Sequence, residues 1–370
     1  MLRSIAVKSL VEPYLPLTRL KHRLKFSKPK VRLVGVAKNE GRYLAEWILH
    51  HLYFGIDHIE VHYNQCDDNT VAVGEYLSAK YPVSFINADN QFAPHLKSPQ
   101  VGVYLSAISK AYREGYSHVL FLDVDEFLVP KDLSKGVHEL ISDKRYFDVI
   151  SNNWCNKLED TSLFGRALEQ NMTLEVSPTV KSMVKTFVTP PVMNPHNVVS
   201  NKLRYTMSGT AQFASDREDM SKVTEHQSRF KDADFFVLHR QYRSQIEYVA
   251  MLGRGRPIEA AKQKSIFKNN RRGYNINTGK TALKFDQSAF EKYADYLDEH
   301  MNSPELQALH KEAQQMVESR YQQVVKMIAN APSSERSLLS RLLKNINLPE
   351  VSSAFKQMRS DKAAKASSDA

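Results

Sequence analysis

Three acidic residues lie within four positions of the chain and are flanked on both sides by apolar residues. Asp123, Asp125 and Glu126 follow the apolar run 119–122, and residues 127–129 are apolar again. Such runs are typical of a buried strand, in which residues two apart point to the same side. The pattern predicts that Asp123 and Asp125 project together and bind Mg²⁺ or Mn²⁺, the hard cations that accompany nucleotide phosphates. The alternative is a pair of solvated acids at a strand end.

The chain before these acids alternates between strand-like and helix-like patterns. Apolar or alternating runs predict strands at 31–37, 58–63, 83–88 and 119 onward. Between them, apolar residues recur at the spacing of three and four that is typical of amphipathic helices. This alternation indicates βαβ units on a parallel sheet, in which ligands bind at the carboxyl ends of the strands.

Polar side chains follow each of the four predicted strands. Because carboxyl ends of parallel strands meet at one edge of a sheet, we expect these side chains to form one site. No Gly-x-Gly-x-x-Gly and no Gly-x-x-x-x-Gly-Lys-Ser/Thr opens a helix, which excludes a dinucleotide fingerprint and a P-loop. The strand-end residues are, in chain order, Asn39 and Glu40, Asp67 and Asp68, Asp89, and Asp123 with Asp125.

The composition is that of a globular protein with a sizeable core. The 370 residues are 42% hydrophobic, and the formal net charge of +10 favours polyanions, phosphorylated substrates or an anionic membrane surface as partners. Cys66 and Cys155 have neither disulfide-framework nor zinc spacing, which favours a reducing compartment. Without a signal-peptide pattern or a run of about 20 apolar residues, we expect a cytoplasmic protein, or a peripheral one on the inner face of the membrane.

The first thirty residues form a basic arm in which leucines alternate with lysines and arginines. Eight basic residues face one acid, Glu12, and Pro13 and Pro16 interrupt any long helix. One hypothesis is that the arm binds anionic lipid. The alternative is a solvated arm that packs loosely on the domain.

Several motifs resemble the glycosyltransferase family 2-like group and the related family-92 enzymes. They are Asn-Glu-x-x-Tyr-Leu-x-Glu-Trp at 39–47, Gly-Ile-Asp at 55–57, an Asp-x-Thr turn at 68–70 and Asp-x-Asp-Glu-Phe at 123–127. The resemblance covers about 31–255. It implies a glycosyltransferase-A fold, an α/β architecture with a mostly parallel central sheet and flanking helices, together with a nucleotide-sugar donor and a divalent metal.

The resemblance also assigns roles to individual residues. Asn39, Glu40 and Asp68 would lie near the nucleoside, while Asp123 and Asp125 would hold the metal and the donor diphosphate. His239, at the end of the apolar run 235–238, would be a further metal or diphosphate contact, since a neutral imidazole can ligate Mn²⁺. The alternative for His239 is a core histidine.

Other candidates come from the less regular part of the chain. An inverting transferase needs a carboxylate that deprotonates the acceptor hydroxyl. Glu159 and Asp160 are candidates for this base, alongside Asp125 as a catalytic residue, although a loop-capping role is the alternative for both. His196 is a candidate donor contact, and Lys181 or Lys185 a phosphate contact, against the alternatives of a loop histidine and exposed lysines.

The C-terminal third is basic and then helical. Arg254 and its basic neighbours up to Lys284 suggest a flap over the diphosphate, with a solvated face as the alternative. The predicted organisation is an arm at 1–30, a catalytic domain at 31–255, a basic flap and helical extension at 256–357 and a disordered tail at 358–370.

The sequence pattern and the resemblance together predict a metal-dependent glycosyltransferase that uses Mn²⁺ or Mg²⁺, and the resemblance implies that it inverts. It would move a sugar from a nucleotide-sugar, a UDP-sugar in our reading, to a glycan or lipid-linked acceptor in cell-envelope polysaccharide or lipopolysaccharide synthesis. Alternatives are a nucleotidyltransferase, which also uses paired aspartates, or a non-catalytic basic protein that binds membrane or nucleic acid. Nucleic acid is not expected, because aromatic residues are not interleaved with the basic run. The sequence does not specify the sugar, base or acceptor.

Overall fold

The computed structural model describes residues 15–93, 98–158, 160, 162–188, 192–200, 202–207, 209–210, 213, 220–253, 265–276 and 279–368. The strands in this part of the chain are β1 (Val31–Ala37), β2 (His58–Tyr63), β3 (Val83–Asn87), β4 (His118–Phe121), β5 (Glu126–Pro130), β6 (Val149–Lys157), β7 (Asn171–Lys185), β8 (Val192–Met193), β9 (Val198–Val199), β10 (Tyr205–Met207), β11 (Gly209–Thr210), β12 (Phe235–His239) and β13 (Thr281–Lys284).

The helices surround these strands and dominate the C-terminal part. They are α1 (Leu15–Lys25), α2 (Leu44–Tyr53), α3 (Thr70–Lys80), α4 (Pro99–Arg113), α5 (Val137–Asp143), α6 (His226–Asp232), α7 (Gln245–Leu252), α8 (Gln287–Met301), α9 (Pro304–Ala329), α10 (Arg336–Leu342) and α11 (Pro349–Ser368). Among the described residues, no helix combines the length and the apolarity that crossing a bilayer requires.

The central sheet is parallel in its first half and mixed in its second. Strands β3, β2, β1 and β4 are neighbours in that order and run parallel, as the alternating pattern predicts. Strand β7 then runs antiparallel to both β4 and β6. Strand β12 pairs in parallel with β6 and antiparallel with β5. The predicted α/β fold with flanking helices and a helical C-terminal part is confirmed, but the sheet as a whole is not mostly parallel.

Helices cover both faces of the first half of the sheet, which explains why β1 is apolar along its whole length. Neighbouring residues of a strand point to opposite faces. Leu33 accordingly lies in one core with Ile48 of α2, and Val34 lies in another with Ile108 of α4. Because helices cover both faces of these strands, the edge of the sheet where the strands end is left for polar residues.

The C-terminal helices build a third core that crosses the predicted domain boundary at residue 255. Tyr248 of α7 packs in it with Val324 of α9, Leu342 of α10 and Val351 of α11. The tail is also different from the prediction, since α11 continues as helix to Ser368. The alanines and lysines of residues 362–365 are good helix formers. The prediction of disorder considered only the polarity of this segment.

Candidate functional site

The two aspartates of the Asp-x-Asp motif lie in a turn, and the prediction that one buried strand carries both is wrong. Strand β4 ends at Phe121, and the Glu126 backbone N–H donates to the Asp123 carbonyl at 2.9 Å, which closes the turn. The chain must bend here because β4 pairs with β1, whereas β5 leaves to pair with β12. The turn gives both carboxylates access to solvent, with 40% of the Asp123 side chain and 21% of the Asp125 side chain exposed.

Asp123 contacts a buried lysine that belongs to β7. Its Oδ2 lies 3.5 Å from Nζ of Lys181, and its Oδ1 accepts a hydrogen bond of 2.8 Å from Gln100. Lys181 is fully buried and also forms an ion pair of 2.9 Å with Glu126. Burial alone would lower the pKa of Lys181, but Asp123 and Glu126 raise it above its ordinary value. Lys181 is therefore a permanent cation beneath the turn.

Asp125 faces His239 at the end of β12. Oδ2 of Asp125 lies 3.6 Å from Nε2 of His239. Burial would raise the pKa of Asp125, but His239 and then Arg243 and Arg271 lower it below its usual range. Asp125 is thus an ionised carboxylate at neutral pH, surrounded by basic side chains.

The orientation of His239 is fixed by two neighbours on β6 and one on β7. Its ring stacks on Trp154 with centroids 4.1 Å apart, and its Nδ1 donates to Oδ1 of Asn156 at 2.9 Å. The Asn156 amide is itself oriented, because its Nδ2 donates to Glu175 at 2.9 Å. Nδ1 therefore carries the hydrogen, and Nε2 is the atom turned toward Asp125.

His239 is neutral at pH 7, since burial lowers its pKa even though Asp125 opposes that effect. The neutral Nε2 carries a lone pair, so two acceptor atoms face each other across the Asp125–His239 gap. A carboxylate oxygen and an imidazole nitrogen are a donor set that suits Mn²⁺. Within the described residues, no three His, Cys, Asp or Glu side chains converge as a complete metal cluster. The residues present therefore fit two ligands of a metal ion, with Asp123 beside them in the same turn.

Two further side chains extend the site. The His196 ring meets Trp154 edge-on at 5.5 Å, and burial together with Lys181 lowers the His196 pKa to about 4. Arg243, which lies between β12 and α7, pairs with Glu40 at 3.1 Å and stacks on Tyr43. Its charge reaches both Glu40 and Asp125, so it links the end of β1 to the Asp125–His239 pair.

The ends of β1, β2 and β3 are joined by hydrogen bonds, as expected for strands that end at one edge. Oδ1 of Asn39 accepts from the Asp67 backbone at 2.8 Å, and Asp89 accepts from the Gln65 backbone at 2.6 Å. The Asp68 carboxylate accepts from the Thr70 backbone N–H at 2.9 Å, so it holds the turn that leads into α3. Asp68 and Asp89 therefore hold backbone loops in place.

Asn39 differs from these two aspartates. Its backbone is left-handed, with φ of 56°, and its buried Nδ2 has no hydrogen-bond partner among the described residues. Buried polar groups without a partner are uncommon and indicate either strain or an absent ligand.

Two predicted site residues are already engaged by other groups of the protein, and two others lie outside the described residues. Asp160 is buried between Lys157, at 2.5 Å, and Arg240, at 2.6 Å from its Nε, so both of its oxygens already face cations. Lys185 donates to the Arg145 carbonyl at 2.7 Å and pairs in the ladder with His118, at the start of β4, the edge opposite Asp123. Glu159 and Arg254 lie outside the described residues.

Sequence reasoning missed several residues that the structure brings to the site. These residues come from distant parts of the chain and carry no local signal except the basic position two residues before α7. They are Gln100, Trp154, Asn156, Glu175 and Arg243. Arg271, which also acts on Asp125, belongs to the basic stretch that the sequence assigned to a flap.

Solved structures provide weak likenesses to this chain. S. aureus TarS, residues 1–349 in complex with UDP, is 11% identical, with 90% of this chain and 88% of that chain covered and a TM-score of 0.28. Glucosyl-3-phosphoglycerate synthase from Mycobacterium tuberculosis, in complex with Mn²⁺ and UDP, is 15% identical, with 37% and 48% covered and a TM-score of 0.25. The match thus spans about half the length of the mycobacterial enzyme, and similarity at this level carries no argument about function.

A cytidylyltransferase from Leptospira borgpetersenii is similar to the same weak degree, with 16% identity, 34% and 54% covered and a TM-score of 0.23. No curated protein matches the chain.

The family comparison is specific. The model of glycosyltransferase family 92 matches residues 33–208, which include the Asn-Glu motif, the Asp123–Asp125 turn and Lys181. The resemblance predicted from the sequence motifs is therefore confirmed. Residues 33–208, just under half of the chain, are thus similar to glycosyltransferase family 92.

Proposed function

We propose that the protein transfers a sugar from a UDP-sugar to a glycan or lipid-linked acceptor, with inversion, in the synthesis of cell-envelope polysaccharide or lipopolysaccharide. One observation carries this proposal. Asp125, which lies within the residues that match glycosyltransferase family 92, and His239, which lies beyond them, turn two lone-pair atoms toward each other, 3.6 Å apart, where the sheet ends. Donor phosphates bind in this position in open α/β sheets.

Asp125 and His239, together with Asp123, would hold Mn²⁺ or Mg²⁺. When bound, such a cation neutralises the negative charge that develops on the leaving diphosphate. The surrounding residues prepare this position. Lys181 compensates the charge of Asp123 and Glu126, so the turn does not repel the phosphates as strongly as three free carboxylates would. The Arg243 guanidinium, beside Asp125, offers a phosphate contact of its own.

The nucleoside end of the donor is assigned to the neighbouring strand ends. Asn39 has an unpartnered amide Nδ2 that suits a base or ribose oxygen. Glu40, paired with Arg243, connects this position to the phosphate position. Asp68 and Asp89 support the site by fixing the loops that line it.

The base for the acceptor hydroxyl is assigned by elimination among the predicted carboxylates. Asp160 is ion-paired to two cations and buried, so taking up a proton there would break both pairs. Glu159 stays the proposed base from the sequence, while Asp125 and Asp123 are assigned to the cation that would accompany the donor phosphates. The acceptor class and stereochemistry rest on the resemblance stated above.

A thermal-shift panel tests the donor and the metal together. The full chain is heated with UDP, CDP, GDP and ADP, each with and without Mn²⁺. We expect the largest shift with UDP and Mn²⁺ together, because Asp125 and His239 would hold a cation whose positive charge favours binding of the diphosphate. Transfer is then measured with radiolabelled UDP-sugars and membrane lipid extracts. Stabilisation by UDP alone, unchanged by Mn²⁺ and by EDTA, would contradict the metal assignment. Pyrophosphate release from a nucleoside triphosphate would instead indicate a nucleotidyltransferase.

A further inference from the structure

Helix α1 is attached to the domain through polar side chains. Arg19 forms an ion pair with the buried Asp148, at 2.5 Å from Nη2 to Oδ2. The buried His22 hydrogen-bonds through Nε2 to the Ser117 carbonyl at 3.0 Å. These contacts fix which side of the helix faces the protein, and they leave the opposite side outward.

The outward side carries leucines. Leu17, Leu20 and Leu24 are 48%, 43% and 72% exposed, although leucine is among the residue types most often buried. At 3.6 residues per turn, the three lie within roughly 60° of one another around the helix axis. Lys21 and Arg23 flank this stripe on its two sides, and the helix contains no acidic residue. An apolar stripe bordered by basic residues is typical of a helix that lies in a membrane interface.

A cationic cavity opens next to this stripe. It has a volume of about 260 Å³ and is lined by Arg23, Arg145 and Lys185, and among the described residues in its wall none is a carboxylate. Tyr146, which is 58% exposed, contacts the Arg145 guanidinium through its ring. Exposed aromatic and arginine side chains of this kind are common at the headgroup level of bilayers.

The cations of this region are poorly compensated. Burial lowers the pKa of Lys185, Asp148 partly offsets that effect, and the neighbouring Arg19, Arg204 and Arg23 lower the pKa further. The surroundings of Lys185 thus disfavour its charged form. An anion bound from outside would stabilise that charge.

We propose that the leucine stripe of α1 and the adjacent cationic cavity form one docking surface for an anionic phospholipid bilayer. The leucines enter the boundary between headgroups and acyl chains, while a lipid phosphate pairs with Arg23 and Arg145. A second copy of the chain fits the surface less well, because two such faces would bring like charges together. This proposal rests on the proposed function, because a membrane-bound protein would meet a lipid-linked acceptor at this surface.

Vesicle co-sedimentation tests the surface with the full chain. Vesicles of phosphatidylglycerol and phosphatidylcholine are compared with pure phosphatidylcholine vesicles. We expect binding to the anionic vesicles that weakens with salt, and at least about a tenfold loss in affinity for Leu20→Asn/Leu24→Asn and for Arg23→Glu/Arg145→Glu. The matched control Leu163→Asn changes an exposed leucine beside α7 and α9 and should bind as the unchanged protein does.

Several outcomes would overturn the proposal. The wild-type chain could stay in the supernatant, or the variants could bind as the wild type does. Binding could also appear only after residues 1–14 are removed, or the chain could form dimers without vesicles that depend on the leucines. Displacement from the vesicles by inorganic phosphate would indicate a simple anion site. The UDP and Mn²⁺ thermal shift is measured on the same preparations, so failure of the transferase assignment is read separately from failure of vesicle binding.

Discussion

The two edges of the central sheet both carry buried or half-buried cations, but they compensate them differently. At the carboxyl edge, Lys181 is paired with Glu126 and Asp123. At the opposite edge, Arg145 and Lys185 line a cavity whose described wall has no carboxylate. A net charge of +10 therefore says little by itself about where an anion binds. A compensated edge needs an added cation to receive a diphosphate, whereas a less compensated edge can bind an anionic surface directly.

Removal of a proposed metal ligand should give the largest effect on the carboxyl edge. Asp125→Asn and His239→Ala should each lower Mn²⁺-dependent transfer by more than the roughly 10–100-fold that loss of an outer-shell partner costs. Asp298→Asn, an exposed acid paired with Arg166, is the matched control and should retain activity. Initial rates at saturating UDP-sugar measure the effect. Equal rates for all three variants would contradict the assignment of Asp125 and His239 as metal ligands at the carboxyl edge.

Substitution of the two lysines on β7 compares the edges within one strand. Lys181→Met leaves Glu126 buried without its cation, and we expect a loss of about 3–5 kcal/mol in the free energy of unfolding. Burial raises the pKa of Glu126 to about 8, so the loss should shrink as pH falls below that value, because a protonated Glu126 needs no cation. Lys185→Met, at the other end of β7, should cost less than about 1 kcal/mol. Urea unfolding measures both, and similar losses for the two variants would show that compensation does not differ between the edges.

The hydrogen-bond chain from Glu175 through Asn156 to His239 should affect metal affinity rather than stability. Asn156→Leu releases the His239 ring from its fixed tautomer, and we expect Mn²⁺ binding to weaken by about 10–100-fold. Glu175→Gln keeps an acceptor for the Asn156 amide and should cost less. Mn²⁺ titration followed by electron paramagnetic resonance, with UDP present, reports affinity without reference to turnover. An unchanged affinity in Asn156→Leu would show that the amide has no positioning role.

The smallest expected effect is a pH dependence at the opposite edge. Burial, opposed by the Ser117 carbonyl and reinforced by Lys185, lowers the pKa of His22 from 6.5 to about 4. The unfolded chain therefore binds more protons than the folded chain between these values, so the contribution of His22 to stability is present above pH 6.5 and is lost as pH falls toward 4. The stability difference between wild type and His22→Gln should shrink over this range. A difference that is constant from pH 7 to pH 4 would contradict the prediction.

The first half of the fold was predictable because its signals are local. Continuous apolar strands and helices with regular spacing alternate from Val31 to Phe121, and the polar residues that end the strands do meet at one edge. The geometry of the Asp-x-Asp motif was not predictable in the same way. Its turn exists because β5 pairs with β12, more than a hundred residues later, and no local pattern reports that pairing.

The site residues that were mispredicted have the same physical origin. The sequence around Asp160 suggests an available carboxylate. In the structure Arg240, eighty residues later in the chain, pairs with it. Lys181 and Lys185 are equivalent in the sequence pattern, yet a long strand carries one to each edge of the sheet. Charge compensation is a property of tertiary contacts, and a single sequence does not record it.

The spacing of Asp125 and His239 is set by a backbone ladder. In the antiparallel pairing of β5 with β12, His239 lies opposite Glu126, the residue directly after Asp125. A slip of one residue would turn the imidazole to the other face of the sheet. During synthesis, a chain that has not yet released residues 235–239 from the ribosome carries the aspartate turn but not the histidine. Such a nascent chain therefore lacks one of the two side chains that would hold the cation until residues 235–239 have paired with β5.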